Sequence, residues 1–198
     1  QAQARLGTTE PGAGRLLQKF VFGDGAMVPI YPAHDVQVEV EFAFRFGTTL
    51  PPRAAAYERT EVVDALDAFV PAMEIVGSRY HTGLGGAGRE LVTADGGANI
   101  AFVGGAAKAL PKGFDWAAQP CELTINGTPV AHGSGARALD DPMNVLVWLA
   151  NHLSARGISL DANSTVSTGT CTGLVAIAPG DELLATFGHL GQVRATLT

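Results

Sequence analysis

Residues 36–46 constrain the fold more than any other stretch of the chain. Val36, Val38, Val40, Phe42, Phe44 and Phe46 fall on one parity, while Gln37, Glu39, Glu41, Ala43 and Arg45 fall on the other. Strict period-two alternation over this length specifies a β-strand with one face on an apolar core, and a helical period would scatter the same residues around an axis. A strand this apolar needs neighbours, so the fold must be built on a sheet. On the opposite face Glu39 and Glu41 share a side, with α-carbons ~6.8 Å apart. Two carboxylates at that spacing repel. Alternation leaves two readings open for them: a solvated face shared with Gln37 and Arg45, or a functional site.

Short strands and a few helices account for the rest. Strand fragments are expected over 20–28, joined at Gly23, Asp24 and Gly25. Thr60 is an N-cap candidate for a helix over 61–69, with Val62, Val63, Leu66 and Phe69 at helical spacing and Pro71 ending it. Residues 72–76 read as a buried strand carrying one charge, Glu74. Residues 81–88 hold four glycines and suggest a mobile loop. Further strands are expected at 101–105 and 122–125, the latter paired with 128–132 through the Asn126-Gly127 turn. Asp141 and Pro142 open a helix that carries Val145, Leu146, Leu149, Ala150 and Leu153 inward and stops near Arg156-Gly157. Strands at 165–167, 174–177, 183–187 and 192–197 complete the pattern, with no repeat and no composition break along 1–198. Gln1 and the residues to Arg5 read as the middle of a helix, so an upstream segment is expected to be missing.

Charge and composition exclude several function classes. The net charge is −6, with 13 scattered Lys and Arg residues, which leaves no basic field for nucleic acid. No apolar run reaches the ~18 residues of a transmembrane candidate, and the first residues lack the layout of a signal peptide. Cys121 and Cys171 form neither a disulfide framework nor a zinc pattern, so the expected compartment is a reducing cytoplasm.

Glu74 sharpens the question raised by Glu39 and Glu41. A carboxylate inside Ala72-Met73-Glu74-Ile75-Val76 needs a cation or dense hydrogen bonding once buried. An ion pair with Arg79 is one solution. Another is a hard divalent ion, Mg2+ or Mn2+, held by all three carboxylates with coordination positions left for water or substrate. Thr168-Gly169-Thr170-Cys171-Thr172-Gly173 reads from composition as a turn between two strands. Cys171 within it lacks a visible His and acid arrangement, and is read as a small packed residue. His81 lies in the glycine-rich stretch after Glu74 and is either a lid-borne acid or base or simply solvated.

These segments together resemble the fumarylacetoacetate hydrolase superfamily, and within it the 2-keto-4-pentenoate hydratase and 4-oxalocrotonate decarboxylase branch. The likeness is carried by Val38-Glu39-Val40-Glu41-Phe42-Ala43-Phe44 and by Val70-Pro71-Ala72-Met73-Glu74-Ile75-Val76-Gly77-Ser78-Arg79. It continues through Pro142-Met143-Asn144-Val145-Leu146-Val147-Trp148, Thr168-Gly169-Thr170, Pro179-Gly180-Asp181 and Phe187-Gly188-His189-Leu190-Gly191. The resemblance implies an α+β fold, a mixed β-roll with a few helices. It implies Mg2+ or Mn2+ on Glu39, Glu41 and Glu74, and a small 2-oxo acid from aromatic breakdown as substrate, its carboxylate met by Gly169 and Thr170. A homo-oligomer, dimer or larger, is implied as well. Hydration of a 2-hydroxydienoate is the leading reaction, since Glu74 stands where many hydrolase members have aspartate. Decarboxylation and carbon–carbon bond hydrolysis use the same electron sink.

Departures from that pattern bear on proton transfer. The hydratase lysine of a K-I-G-L-T-like segment would lie before Gln1. The acid of a Q-P-D-x-G stretch is replaced by Gly12 within Glu10-Pro11-Gly12-Ala13-Gly14, leaving Glu10 as a displaced substitute. An A-D-N-x-S-S segment is matched by Ala94-Asp95-Gly96-Gly97-Ala98-Asn99 without its serines, which makes Asn99 a candidate hydrogen-bonding residue. The candidate catalytic set is therefore Glu10, His81 and Asn99, and a non-catalytic metal-binding assembly subunit stands as the alternative to an enzyme.

Overall fold

In the computed structural model, which describes residues 7–86 and 88–198, two β-sheets pack around one aromatic core. The expected helical reading of residues 1–5 lies outside the described residues. Twelve strands occur among the described residues: β1 (Val21–Gly23), β2 (Ala26–Val28), β3 (Gln37–Phe46), β4 (Leu66–Val76), β5 (Asn99–Gly104), β6 (Lys108–Ala109), β7 (Pro120–Ile125), β8 (Thr128–Ser134), β9 (Thr165–Thr170), β10 (Val175–Ala176), β11 (Glu182–Thr186) and β12 (Gln192–Leu197). The first sheet runs β1-β5-β4-β3-β10, with β6 on β4 and β9 on β3, and the second runs β2-β12-β11-β7-β8. Pairing is antiparallel except for β1 with β5 and β2 with β12. The neighbouring β1 and β2 thus enter different sheets.

The period-two face of β3 forms the core as expected. Val38, Val40, Phe42, Phe44 and Phe46 are fully buried. Phe42 meets Phe187 edge-on at 5.0 Å between ring centroids and Phe44 meets Trp116 at 4.9 Å, so β3 is joined to the second sheet by aromatic packing. The helix predicted from Asp141 is α4 (Pro142–Ser154), capped by the Asp141 carboxylate accepting from Met143 N at 2.8 Å. Asn126 and Gly127 both adopt positive φ, 51° and 78°, which is the primed turn a two-residue hairpin requires.

Two expectations are corrected. The helix over 61–69 is only α1 (Arg59–Asp64), and its cap is a Glu58–Glu61 capping box rather than Thr60. Leu66 onward is already β4, so Phe69 is a strand residue and Pro71 sits inside a strand. Pro71 falls where β5 ends at Gly104 and before β6 takes up pairing at Ala68 and Phe69, and its carbonyl accepts from Gly105 N at 2.8 Å. A proline in that gap withholds no ladder hydrogen bond on that side. The described residues of 81–88 are likewise not all open loop, because they include the single turn α2 (Gly83–Gly86) and Gly88, the N-cap of α3 (Arg89–Ala94). Among the described residues, no helix is long and apolar enough to cross a membrane.

Candidate metal centre

The face of the first sheet turned away from the aromatic core carries the carboxylates. Antiparallel register sets Glu39 of β3 directly opposite Glu74 of β4, and Glu41 opposite Ala72. Glu39, Glu41 and Glu74 each bring an oxygen within 4.8 Å of the other two. Like charges directly across a ladder oppose strand pairing, so this arrangement is held by the surrounding fold. Glu41 is 2% exposed, while Glu39 and Glu74 are partly buried. Glu74 keeps more surface than its apolar neighbours suggested. It is still enclosed enough that burial, followed by the negative charge of Glu41, pushes its carboxyl well above the usual carboxylate range, against the opposing hydrogen bond from Asn99.

Glu41 and Glu74 are each aimed by a neighbour. Ser167 Oγ donates a short hydrogen bond to Glu41 Oε2, and Gly169 N donates to the same oxygen at 3.1 Å. This geometry comes from an extra residue in β9: Ala43 pairs with Ser167 and Glu41 with Thr170, so three steps on β9 match two on β3. Gly169 takes φ 95° at this bulge, a conformation suited to glycine. The Thr168 hydroxyl locks the bulge onto Phe42 O at 2.8 Å, and beyond it Cys171 N donates to Val40 O at 2.8 Å. Val40 N in turn donates to Thr172 Oγ1 at 3.1 Å. Asn99 Nδ2 donates to Glu74 Oε1 at 2.7 Å. Arg79 does not pair with Glu74; it bonds Asp95 at 2.8 Å and Asn99 O at 3.0 Å, bracing the residue that holds Glu74.

The sequence-derived candidates therefore separate. Glu39, Glu41, Glu74, Asn99 and Gly169 are brought together, with Thr170 in register beside Glu41. The Gly169 amide is engaged by Glu41 rather than open to a ligand. Thr170 Oγ1 accepts from Gly173 N at 2.8 Å, and as a hydroxyl it retains a proton to donate. Glu10 is exposed on the segment before β1, where its backbone N bonds Thr8 Oγ1 and its charge acts on His152 of α4. His81 is exposed in the turn before α2. Ser167 escaped the sequence reading, although it shares parity with Gly169 on β9.

Both cysteines are buried. Cys171, fully enclosed, has its thiol pushed far up by the neighbouring Cys121 thiol and by burial, which fits packing rather than nucleophilic attack.

Residues 16–198 match the fumarylacetoacetate hydrolase C-terminal family. The chain is 34% identical over 194 residues to 2-keto-4-pentenoate hydratase of Paraburkholderia xenovorans (strain LB400), covering 97% of this chain and 70% of the relative. It is 29% identical over 194 residues to 4-oxalocrotonate decarboxylase of Pseudomonas putida, covering 97% and 71%. Its fold superposes on the solved 4-oxalocrotonate decarboxylase of Pseudomonas putida G7, complexed with magnesium and adipate, with a TM-score of 0.88 and 27% identity over 99% of this chain and 73% of that one.

Proposed function

Because this chain belongs to the fumarylacetoacetate hydrolase family, we propose that it is a divalent-metal-dependent hydratase acting on a small 2-oxo-enoic acid. The observation that carries the proposal is the triad itself: Glu39, Glu41 and Glu74, with oxygens within 4.8 Å of one another on one sheet face. Three hard oxygen donors and no sulfur or imidazole suit Mg2+ or Mn2+. The raised Glu74 carboxyl fits the same reading, since burial and then the repulsion of Glu41 disfavour its charge, and a bound cation would offset both.

A divalent ion held there supplies the electrophilic pull on 2-oxo and carboxylate oxygens that water addition requires. The chain's own residues do the rest. Ser167 and Gly169 keep Glu41 in one orientation, and Asn99 does the same for Glu74, so the ligands are set before an ion arrives. The Thr170 hydroxyl offers a donor for the substrate carboxylate from the β9 side. Proton transfer is assigned to Glu10 and His81, both on exposed segments that must approach the bound acid.

Decarboxylation is the second reading, supported by the backbone likeness to the solved decarboxylase. Products separate the two. Incubating Mg2+-loaded protein with a 2-hydroxydienoate should bleach the conjugated chromophore without releasing carbon dioxide. Release of carbon dioxide from an oxalocrotonate-like diacid would favour decarboxylation. No metal-dependent turnover of either, with binding unaltered in Glu39→Ala, would reject the enzyme reading and the site together.

A further inference from the structure

The carboxylate face is polar at one end and apolar at the other. Toward β9 lie Ser167, Gly169 and Thr170; toward β4 and β5 lie Ala72, in register with Glu41, and Phe102, in register with Glu74. Ala72 and Phe102 belong to a small buried cluster with Ala43 and Val70, separate from the main core, and Leu16 packs against it. An acid that chelates at the triad with its carboxylate toward the Thr170 hydroxyl must therefore send its remaining carbons over Ala72 and Phe102, toward Leu16.

Beyond Leu16 there is space. Leu16, Val70 and Phe102 also line a groove of about 520 Å³ that extends past Gly104 to Arg45. Leu16 thus packs on the apolar cluster that adjoins the carboxylates and at the same time lines a groove large enough for additional carbons. The charge of that groove also matters: Arg45 is its one lining cation among the described residues, and Asp67 holds it through bonds of 2.8 and 3.0 Å. A second carboxylate on a substrate would find no uncommitted positive partner there, and burying it unpaired is costly.

Resting on the metal-site reading above, we infer that Leu16 is a specificity-determining residue that closes the tail end of the site, selecting short monocarboxylic 2-oxo acids with apolar tails. Its side chain supplies the wall that an apolar tail meets after crossing Ala72 and Phe102. Removing it joins the site to the groove.

The test is binding of saturated 2-oxo acids to Mg2+-loaded protein by calorimetry, with oxalate as a chelator that has no tail. In the unmodified chain, 2-oxopentanoate should bind about tenfold more tightly than 2-oxooctanoate, and 2-oxohexanoate more tightly than the diacid 2-oxoadipate. Leu16→Ala should tighten 2-oxooctanoate by about tenfold and leave oxalate unchanged. Leu16→Phe, which adds bulk at the same place, should weaken 2-oxopentanoate relative to oxalate. Oxalate binding also reports that each variant is folded. If oxalate binds all three proteins and the ratio of long to short acids does not move, Leu16 is not the wall, although the metal site stands. Preference for 2-oxoadipate over 2-oxohexanoate would overturn the apolar-tail assignment. Failure of oxalate to bind the Mg2+-treated unmodified chain would overturn the metal-site reading and this inference with it.

Discussion

Glu39 on β3 and Glu74 on β4 face each other directly across two antiparallel strands, a pairing of like charges near one end of the sheet's longest ladder. Replacing Glu74 by Gln should therefore raise the melting temperature of the ion-free protein and remove the further rise expected when Mg2+ is added to the unmodified chain. The pH dependence follows from the direction of the shift. A carboxyl whose folded pKa is raised keeps its proton in the folded chain at pH values where the unfolded chain has released it, so ion-free stability falls as pH climbs above the ordinary glutamate range. Glu74→Gln should flatten that fall. Thermal melts in chelator from pH 5 to 8 measure it, and parallel curves for the two proteins would contradict the assignment.

Ser167 touches Glu41 and would act on a bound ion only through it. Ser167→Ala should leave the fold intact and weaken Mg2+ binding by roughly 10- to 100-fold, the usual scale for losing a group that orients a metal ligand. Isothermal titration provides the affinity and circular dichroism the fold. An unchanged affinity would mean that Gly169 alone holds Glu41.

Gly133 on β8 lies under the loop after β9. A β-carbon at this position would come within 1.7 Å of the Cys171 carbonyl oxygen, which is backbone and cannot swing aside. Gly133→Ala should cost about 1–3 kcal/mol or more through overpacking, read as a melting temperature lowered by about 2–4 °C for each kcal/mol. The loop it displaces bonds Val40, between Glu39 and Glu41, so metal affinity should fall in the same variant. A stable Gly133→Ala protein with normal Mg2+ binding would show that the loop is free to shift.

Arg53 holds Glu61 through bonds of 2.8 and 2.5 Å, and with the Glu58 backbone amide this lowers the Glu61 carboxyl to about 2. A depressed carboxyl contributes stability that is present above its ordinary pKa and lost as pH falls through the folded value. The gap in denaturation midpoint between the unmodified chain and Glu61→Gln should be largest near neutrality and close between pH 4.5 and about 2. Both partners are well exposed, so the gap should be modest and shrink with added salt. A gap that persists at pH 2 would point to packing rather than charge.

The parts of this molecule legible in sequence were those governed by one local rule. Period two in β3 identified both the core face and the carboxylate face, the Asp141-Pro142 pair marked the start of α4, and Asn126-Gly127 marked its hairpin. The start of β4 is hidden from local rules because Val62, Val63, Leu66 and Phe69 satisfy a helical spacing, and because a proline suggests a terminus unless the pairing on either side of it is known. Ser167, the Gly169 amide and the Asn99 bond to Glu74 depend on register between strands distant in sequence, which no local pattern encodes. Leu16 was obscure for the same reason: only the assembled sheet shows what it covers.

The division of β1 and β2 between the two sheets has a kinetic consequence. Val21 pairs with Phe102, whereas Ala26, five residues later, pairs with Ala195, and Asp24 Oδ1 accepts from Arg194 N across 170 positions. Closing so long a loop is entropically expensive and slow relative to forming nearby ladders. The carboxylate-bearing β3–β4–β5 ladder can zip from residues already close together, while the second sheet must wait for β11 and β12, its central strands, at the end of the chain. During synthesis the acidic face would therefore be assembled before the layer that buries the aromatic side of β3, and refolding should show an early sheet phase followed by late burial of Trp116.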